Sequence, residues 1–180
     1  MKIPFRIKLI LLWYKIFRNN LEFKSIKKIS RNSKGVNNIL FFLPAEKEFA
    51  QVSSHFIKSN YQNNFSNVNF VIHEKGLPFY QDELLPRMII FSDDDINWLG
   101  KISSGEIINR INLVDYDALV DLNQTINQPL SLLSIELDIP YKIGFETPIS
   151  HLLFSIEIEL KENGFIEEHY IMIKNILGIN

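Results

Sequence analysis

Cysteine is absent from the 180-residue chain, which excludes disulfides, thiolate metal sites and a cysteine nucleophile, and fits a cytoplasmic protein. Glycine is scarce, with 7 residues. None falls into GxGxxG or Walker spacing, so no phosphate cradle for a dinucleotide or NTP is expected, and no cofactor with it. The four histidines, His55, His73, His151 and His169, lack ligand spacing and no HExxH occurs, so no metal site is expected. No serine stands beside a His–Asp pair that would make it a nucleophile. In the N-terminal segment the longest uncharged run, Leu9 to Tyr14, falls far below the roughly 20 residues that cross a bilayer. It also lacks a small-residue cleavage site, so no signal peptide is expected.

Hydrophobic residues make up 46% and charged residues 22% of the chain, enough to bury one sizeable core rather than remain disordered. The net charge of −2 conceals a division. Up to Gly35, Lys2, Arg6, Lys8, Lys15, Arg18, Lys24, Lys27, Lys28, Arg31 and Lys34 face a single acid, Glu22, and the rest of the chain is strongly acidic. A basic arm, residues 1–35, is therefore expected ahead of a domain of residues 36–180.

Phe5 to Arg18 reads as a helix with Lys8, Lys15 and Arg18 in one narrow sector and a wide apolar face that includes Trp13, Tyr14 and Phe17, with Arg6 interrupting it. Three uses fit this pattern. The face packs on the domain or on a partner chain; or the arm lies on an anionic membrane surface, peripheral to the inner face; or Lys24, Lys27, Lys28 and Arg31 meet RNA phosphates. No sequence-specific DNA recognition is expected.

The body alternates strand and helix patterns. Ile39 to Leu43 is a continuous apolar run ended by Pro44, as in a strand covered on both faces. A helix follows over 45–61, with Phe49, Val52 and Phe56 as its stripe, then a loop at Asn63 to Asn67. A strand is expected at Val68 to His73, a short helix around Phe79 to Leu85, and a strand at Met88 to Phe91. A broken helix is expected after Asp95, then a strand at Ala118 to Leu122. Pro129 suits the first turn of a helix over 128–137. A strand at Tyr141 to Phe145, an alternating edge strand at His151 to Leu160 and a closing helix over 165–177 ended by Gly178 complete the chain. The alternation predicts an α/β fold with a doubly wound, mostly parallel sheet.

The apolar strand opening a helix, then Val120-Asp121-Leu122-Asn123, a helix and Ile143-Gly144-Phe145 resemble the N-terminal domain of family 9, heptosyltransferase-like glycosyltransferases. Asp95 to Lys101 (DINWLGK) is similar to segments in small single-domain bacterial relatives of that family. The resemblance implies a Rossmann-like domain forming one half of a GT-B fold, and a role in envelope glycan assembly. The family's enzymes carry a second, nucleotide-sugar-binding domain and a Gly-Asp pair after the first strand, its Asp the catalytic base. The expectation is that this chain stops before such a domain and has Glu48-Phe49 in place of the pair. Glu46 or Glu48 is the only substitute carboxylate there. A non-catalytic binding or scaffold domain is thus the first reading, a minimal or split transferase the second, and an RNA- or ribosome-associated protein the third.

In doubly wound sheets ligands bind beyond the carboxyl ends of strands where the strand order reverses. That rule brings Glu46 and Lys47 towards Asp121, Asn123, Gln124 and Thr125, whose amides and hydroxyls suit a sugar or other small polar ligand. The same residues also serve to build the turn and cap the next helix. Asp93-Asp94-Asp95 reads as a helix start, since three successive carboxylates cannot converge on one ion.

Overall fold

Strands with no polar alternation must be covered on both faces, and the short apolar runs of this chain meet that condition. A computed structural model describes residues 8, 36–61, 67–160 and 165–178. It contains β1 (Asn38–Phe42), β2 (Asn67–His73), β3 (Met88–Phe91), β4 (Ala118–Asp121), β5 (Tyr141–Phe145) and β6 (Ile156–Ile158), in one sheet of order β3-β2-β1-β4-β5-β6. All five pairings are parallel. The fold is α/β and Rossmann-like.

Four helices flank the sheet: α1 (Lys47–Tyr61), α2 (Gly105–Asn112), α3 (Gln128–Glu136) and α4 (Ile166–Leu177). Alternation along each strand sends successive side chains to opposite faces. Ile39, Phe41, Val120 and Phe145 join Ile57 of α1 and Tyr170 and Ile173 of α4 on one face. Leu40, Phe42 and Leu119 join Ile107 and Ile111 of α2 and Leu130 and Leu133 of α3 on the other. Ile39 to Leu43 are fully buried, each contributing roughly 1.5–3 kcal/mol of transfer free energy. β1 is the centre of the molecule.

Several expected elements differ. The short helix around 79–85 is instead two 3₁₀ turns, Glu74–Phe79 and Asp82–Arg87, containing Pro78 and Pro86. Proline lacks the amide hydrogen that a longer α-helix needs, which favours such short turns. The stretch after Asp95 is not a broken helix from its start. Ile96 and Ile102 form an antiparallel bridge, closing a hairpin before α2 begins at Gly105.

The edge strand is only Ile156–Ile158, because Ile149, Leu153 and Phe154 fold back to pack on Leu132 and Ile135 of α3. Of the loop expected at 63–67, residues 63–66 lie outside the described residues, and Asn67 already pairs with Asn38 in β2. The basic arm, with Arg6, Trp13, Lys15, Arg18, Lys24, Lys27, Lys28 and Arg31, lies outside the described residues. Lys8 alone is described, as helical and exposed. Among the described residues no helix is long and apolar enough to cross a membrane.

Gly144 shows how tightly that turn back is seated. A Cβ there would lie 2.3 Å from the Phe154 ring. Gly144→Ala should therefore cost about 1–3 kcal/mol through overpacking, read by urea denaturation. Adding Phe154→Leu should recover part of the loss, whereas an unchanged midpoint in Gly144→Ala would contradict the packing.

Candidate functional site

The chain leaves β1 towards β2 on one side and returns to place β4 on the other, so the strand order reverses between β1 and β4. Their last residues, Phe42 and Asp121, are register partners. The turns that follow, with Glu46 and Lys47 on one side and Asn123, Gln124 and Thr125 on the other, leave from the same edge of the sheet. Topology places the expected residues at the same edge of the sheet.

Asp121 is only 4% exposed. Its Oδ1 accepts hydrogen bonds from Asn123 N (2.9 Å) and Asn123 Nδ2 (2.7 Å). Oδ2 accepts none, and no cation pairs with this carboxylate, among the described residues. Burial pushes its pKa up to about 6, the two Asn123 bonds opposing the shift. Asn123 is itself buried. Gln124 and Thr125 are half-buried, and Glu46 and Lys47 are exposed. Asn127, not Asn123 or Thr125, caps α3, its Oδ1 accepting from Leu130 N at 3.3 Å.

A second set of polar groups braces the opposite face. Tyr80 Oη donates to the Pro44 carbonyl (3.0 Å), and Ser53 Oγ and Tyr170 Oη share a hydrogen bond of 2.9 Å. Burial raises the pKa of both phenols, Tyr80 well above the usual tyrosine range, with Ser53 acting against the shift in each and Gln124 also at Tyr170. Both phenols stay protonated at any physiological pH; Tyr80 ties the β1 turn to the loop before β3, and Tyr170 ties α4 to α1. The sequence could not point to this set, because its members come from α1, the loop before β3 and α4.

The turn is also crowded. A Cβ on Gly76 would fall 2.9 Å from the Ala45 Cα, so the Glu74–Phe79 turn seats directly on it. Pro44 supplies no amide hydrogen, Glu46 precedes α1, and Glu48 sits in its first turn. Backbone donors and a positive helix end normally attract phosphate at this place. Here a missing donor, a filled space and two carboxylates oppose it.

The hairpin after β3 borders the start of α3. Gln128 Nε2 donates to the Leu99 carbonyl at 2.8 Å. Gly100, with φ of 82°, admits that side chain where a Cβ would collide with it. Lys101 Nζ pairs with Glu136 at 2.7 Å. Trp98, beside this anchor, is 80% exposed. A tryptophan left in solvent at the tip of a pinned hairpin was the signal to read in DINWLGK, beyond its resemblance. Asp93–Asp95 form a 3₁₀ turn in which Asp95 accepts from Ser92 N and Oγ (2.8 and 3.0 Å), and Asp93 pairs with His73 and Lys75. No cluster suited to a metal ion occurs among the described residues.

Residues 12–176 match a family described as a family of unknown function, DUF6913. The chain belongs to the DUF6913 family. The matched stretch takes in residues 12–35 of the basic arm together with the sheet. No curated protein and no solved structure matches the chain.

The Asp121 carboxyl generates a pH prediction. Its folded pKa lies above the unfolded value, so the folded state holds the proton more tightly. Stability is then fullest below about pH 4 and falls as pH rises through about 6, by about 3 kcal/mol for the full shift. Asp121→Asn retains an oxygen for both Asn123 bonds but no charge. It should be about 1–3 kcal/mol more stable than the parent at pH 8 and nearly equal at pH 4, read by urea denaturation at both pH values.

Proposed function

We propose that this DUF6913 protein is a non-catalytic binding domain of glycosyltransferase-like ancestry, whose β1–β4 crevice takes a small, uncharged ligand bearing hydroxyl groups. The observation that carries this reading is the Asp121 carboxylate: buried, at the end of β4, held on one oxygen by Asn123 and unpaired with any cation among the described residues. Such a group costs stability, and costly charges are retained most often where they serve a ligand. A carboxylate oxygen accepts hydroxyl hydrogens strongly. Asn123, Gln124 and Thr125 would supply further donors and acceptors, and Trp98 an apolar face for a sugar ring.

The β1 turn weighs against transfer chemistry. Glu46 and Glu48 are exposed, one before and one within the first turn of α1, without the Gly-Asp pair of the resembled enzymes. The acidity around this helix start also disfavours a diphosphate donor. A neutral sugar or polyol fits the crevice better than a nucleotide sugar.

Titration of the full chain with neutral monosaccharides, polyols and nucleotide sugars, followed by heteronuclear NMR, tests the reading. Saturable shifts at Asn123, Gln124 and Trp98 are expected with a neutral ligand. Asp121→Asn should weaken binding by at least about tenfold although it stabilises the fold, and Trp98→Ala by about tenfold. Binding of nucleotide sugars alone, or sugar transfer to any acceptor, would overturn it.

A further inference from the structure

Helix α4 is apolar on more than the side it buries. His169, Tyr170, Ile173 and Leu177 are buried, while Phe165, Ile171 and Met172 stay exposed, Ile171 by 57%. Beside it α1 presents Val52 and Phe56, and a groove of about 250 Å³ runs between the two helices. Both helices follow strands of the same parallel sheet on the same face, so both start at its carboxyl edge. Glu48 lies in the first turn of α1, and Glu167 and Glu168 in that of α4. The groove is mostly apolar, with His55 and Lys174 also in its lining, and is acidic at the end where Glu167 lies.

The sequence contains one segment of matching chemistry. On a helical wheel of Phe5 to Arg18, Leu9, Leu12, Trp13, Ile16 and Phe17 share one side, interrupted by Arg6, and Lys8, Lys15 and Arg18 lie outside it. A helix of that length is about 21 Å long, against about 18 Å for α4. Residues 19–35 would join it to β1 with a coil span of about 23 Å, enough to pass along α4 from end to end. The DUF6913 match begins at residue 12, so Trp13 and Phe17 belong to the same family stretch as the groove. The basic segment and the acidic body carry opposite net charge.

We propose that Phe5 to Arg18 docks as an amphipathic helix in the groove between α1 and α4, with Trp13 and Phe17 against Phe56 and Ile171 and its cations along the rim that includes Glu167 and Glu168. The arm then completes the outer layer of the domain, and its apolar face is covered by the chain itself.

The absence of cysteine makes introduced thiol pairs a clean probe. Two full-length variants, Tyr14→Cys/Ile171→Cys and Tyr14→Cys/Leu113→Cys, place the second thiol either at the groove or on α2's exposed end, where Leu113 is 82% exposed. Both substitutions on the domain are at surface positions, and circular dichroism verifies the fold. Under mild oxidation the first pair should close within one chain about tenfold faster than the second, as expected of a raised effective concentration. Adding Glu167→Lys/Glu168→Lys should slow it, more so at low salt. Equal rates for the two pairs would overturn the proposal. So would a disulfide formed chiefly between chains, which would put a second copy in the groove. Failure of the intrachain bond together with flotation on phosphatidylglycerol vesicles, or with binding to polyuridylate, would also overturn it and assign the arm to lipid or RNA.

Discussion

The pairing of β1 with β4 is the constraint on which the rest depends. A parallel strand cannot return through a tight turn, so every connection must cross over the sheet and cover a face. Starting from β1, the chain spends two strands on one side and three on the other, with Phe42 and Asp121 in register where the halves meet. That junction leaves two turns diverging from one edge. The place where a doubly wound sheet takes ligands is therefore set by topology before any residue at it is chosen.

The strands were the most legible part of the chain, for a physical reason. Runs such as Ile39–Leu43 and Met88–Phe91 are too short for a buried helix and too apolar for a surface strand, so a two-sided parallel sheet is the consistent solution. Misreadings occurred where tertiary contacts override local pattern. The alternation at 151–160 looks like one long edge strand, yet only Ile156–Ile158 pair at the edge, because Leu153 and Phe154 pack back over α3, and Gly144 is the residue that makes room for the ring. The apolar residues after Asp95 look helical, but the Ile96–Ile102 bridge turns them into a hairpin pinned by Gln128.

The candidate site was legible to the extent that it follows from topology. Asp121, Asn123, Gln124 and Thr125 lie together because they are contiguous, and they share an edge of the sheet with Glu46 and Lys47 because β1 pairs with β4. Which of them are buried was not legible. Asn123 reads as a turn residue, whereas it spends two donors on Asp121, and capping of α3 falls to Asn127. The hydroxyls of Tyr80, Ser53 and Tyr170 come from elements far apart in the chain, so no local spacing announces them. Tyr80 nevertheless braces the β1 turn at the Pro44 carbonyl, while Ser53 and Tyr170 join α1 to α4.

Electrostatics set the character of this edge. A Rossmann-like fold offers anions the amino end of its first helix, and family after family fills that place with glycine so that phosphate can approach the backbone. In this chain proline removes a donor there, alanine is packed against the Glu74–Phe79 turn, and Glu46 and Glu48 supply negative charge. Asp121 adds a buried carboxyl whose pKa of about 6 makes it partly ionised in mildly acidic solution and largely ionised at neutral pH. Each feature alone has an ordinary explanation in turn building or packing. Together they are the physical basis of the proposed preference for hydroxyl donors over phosphate. The acidity of this edge has the same sign as Glu167 and Glu168, the rim on which the proposed docking of the basic segment depends.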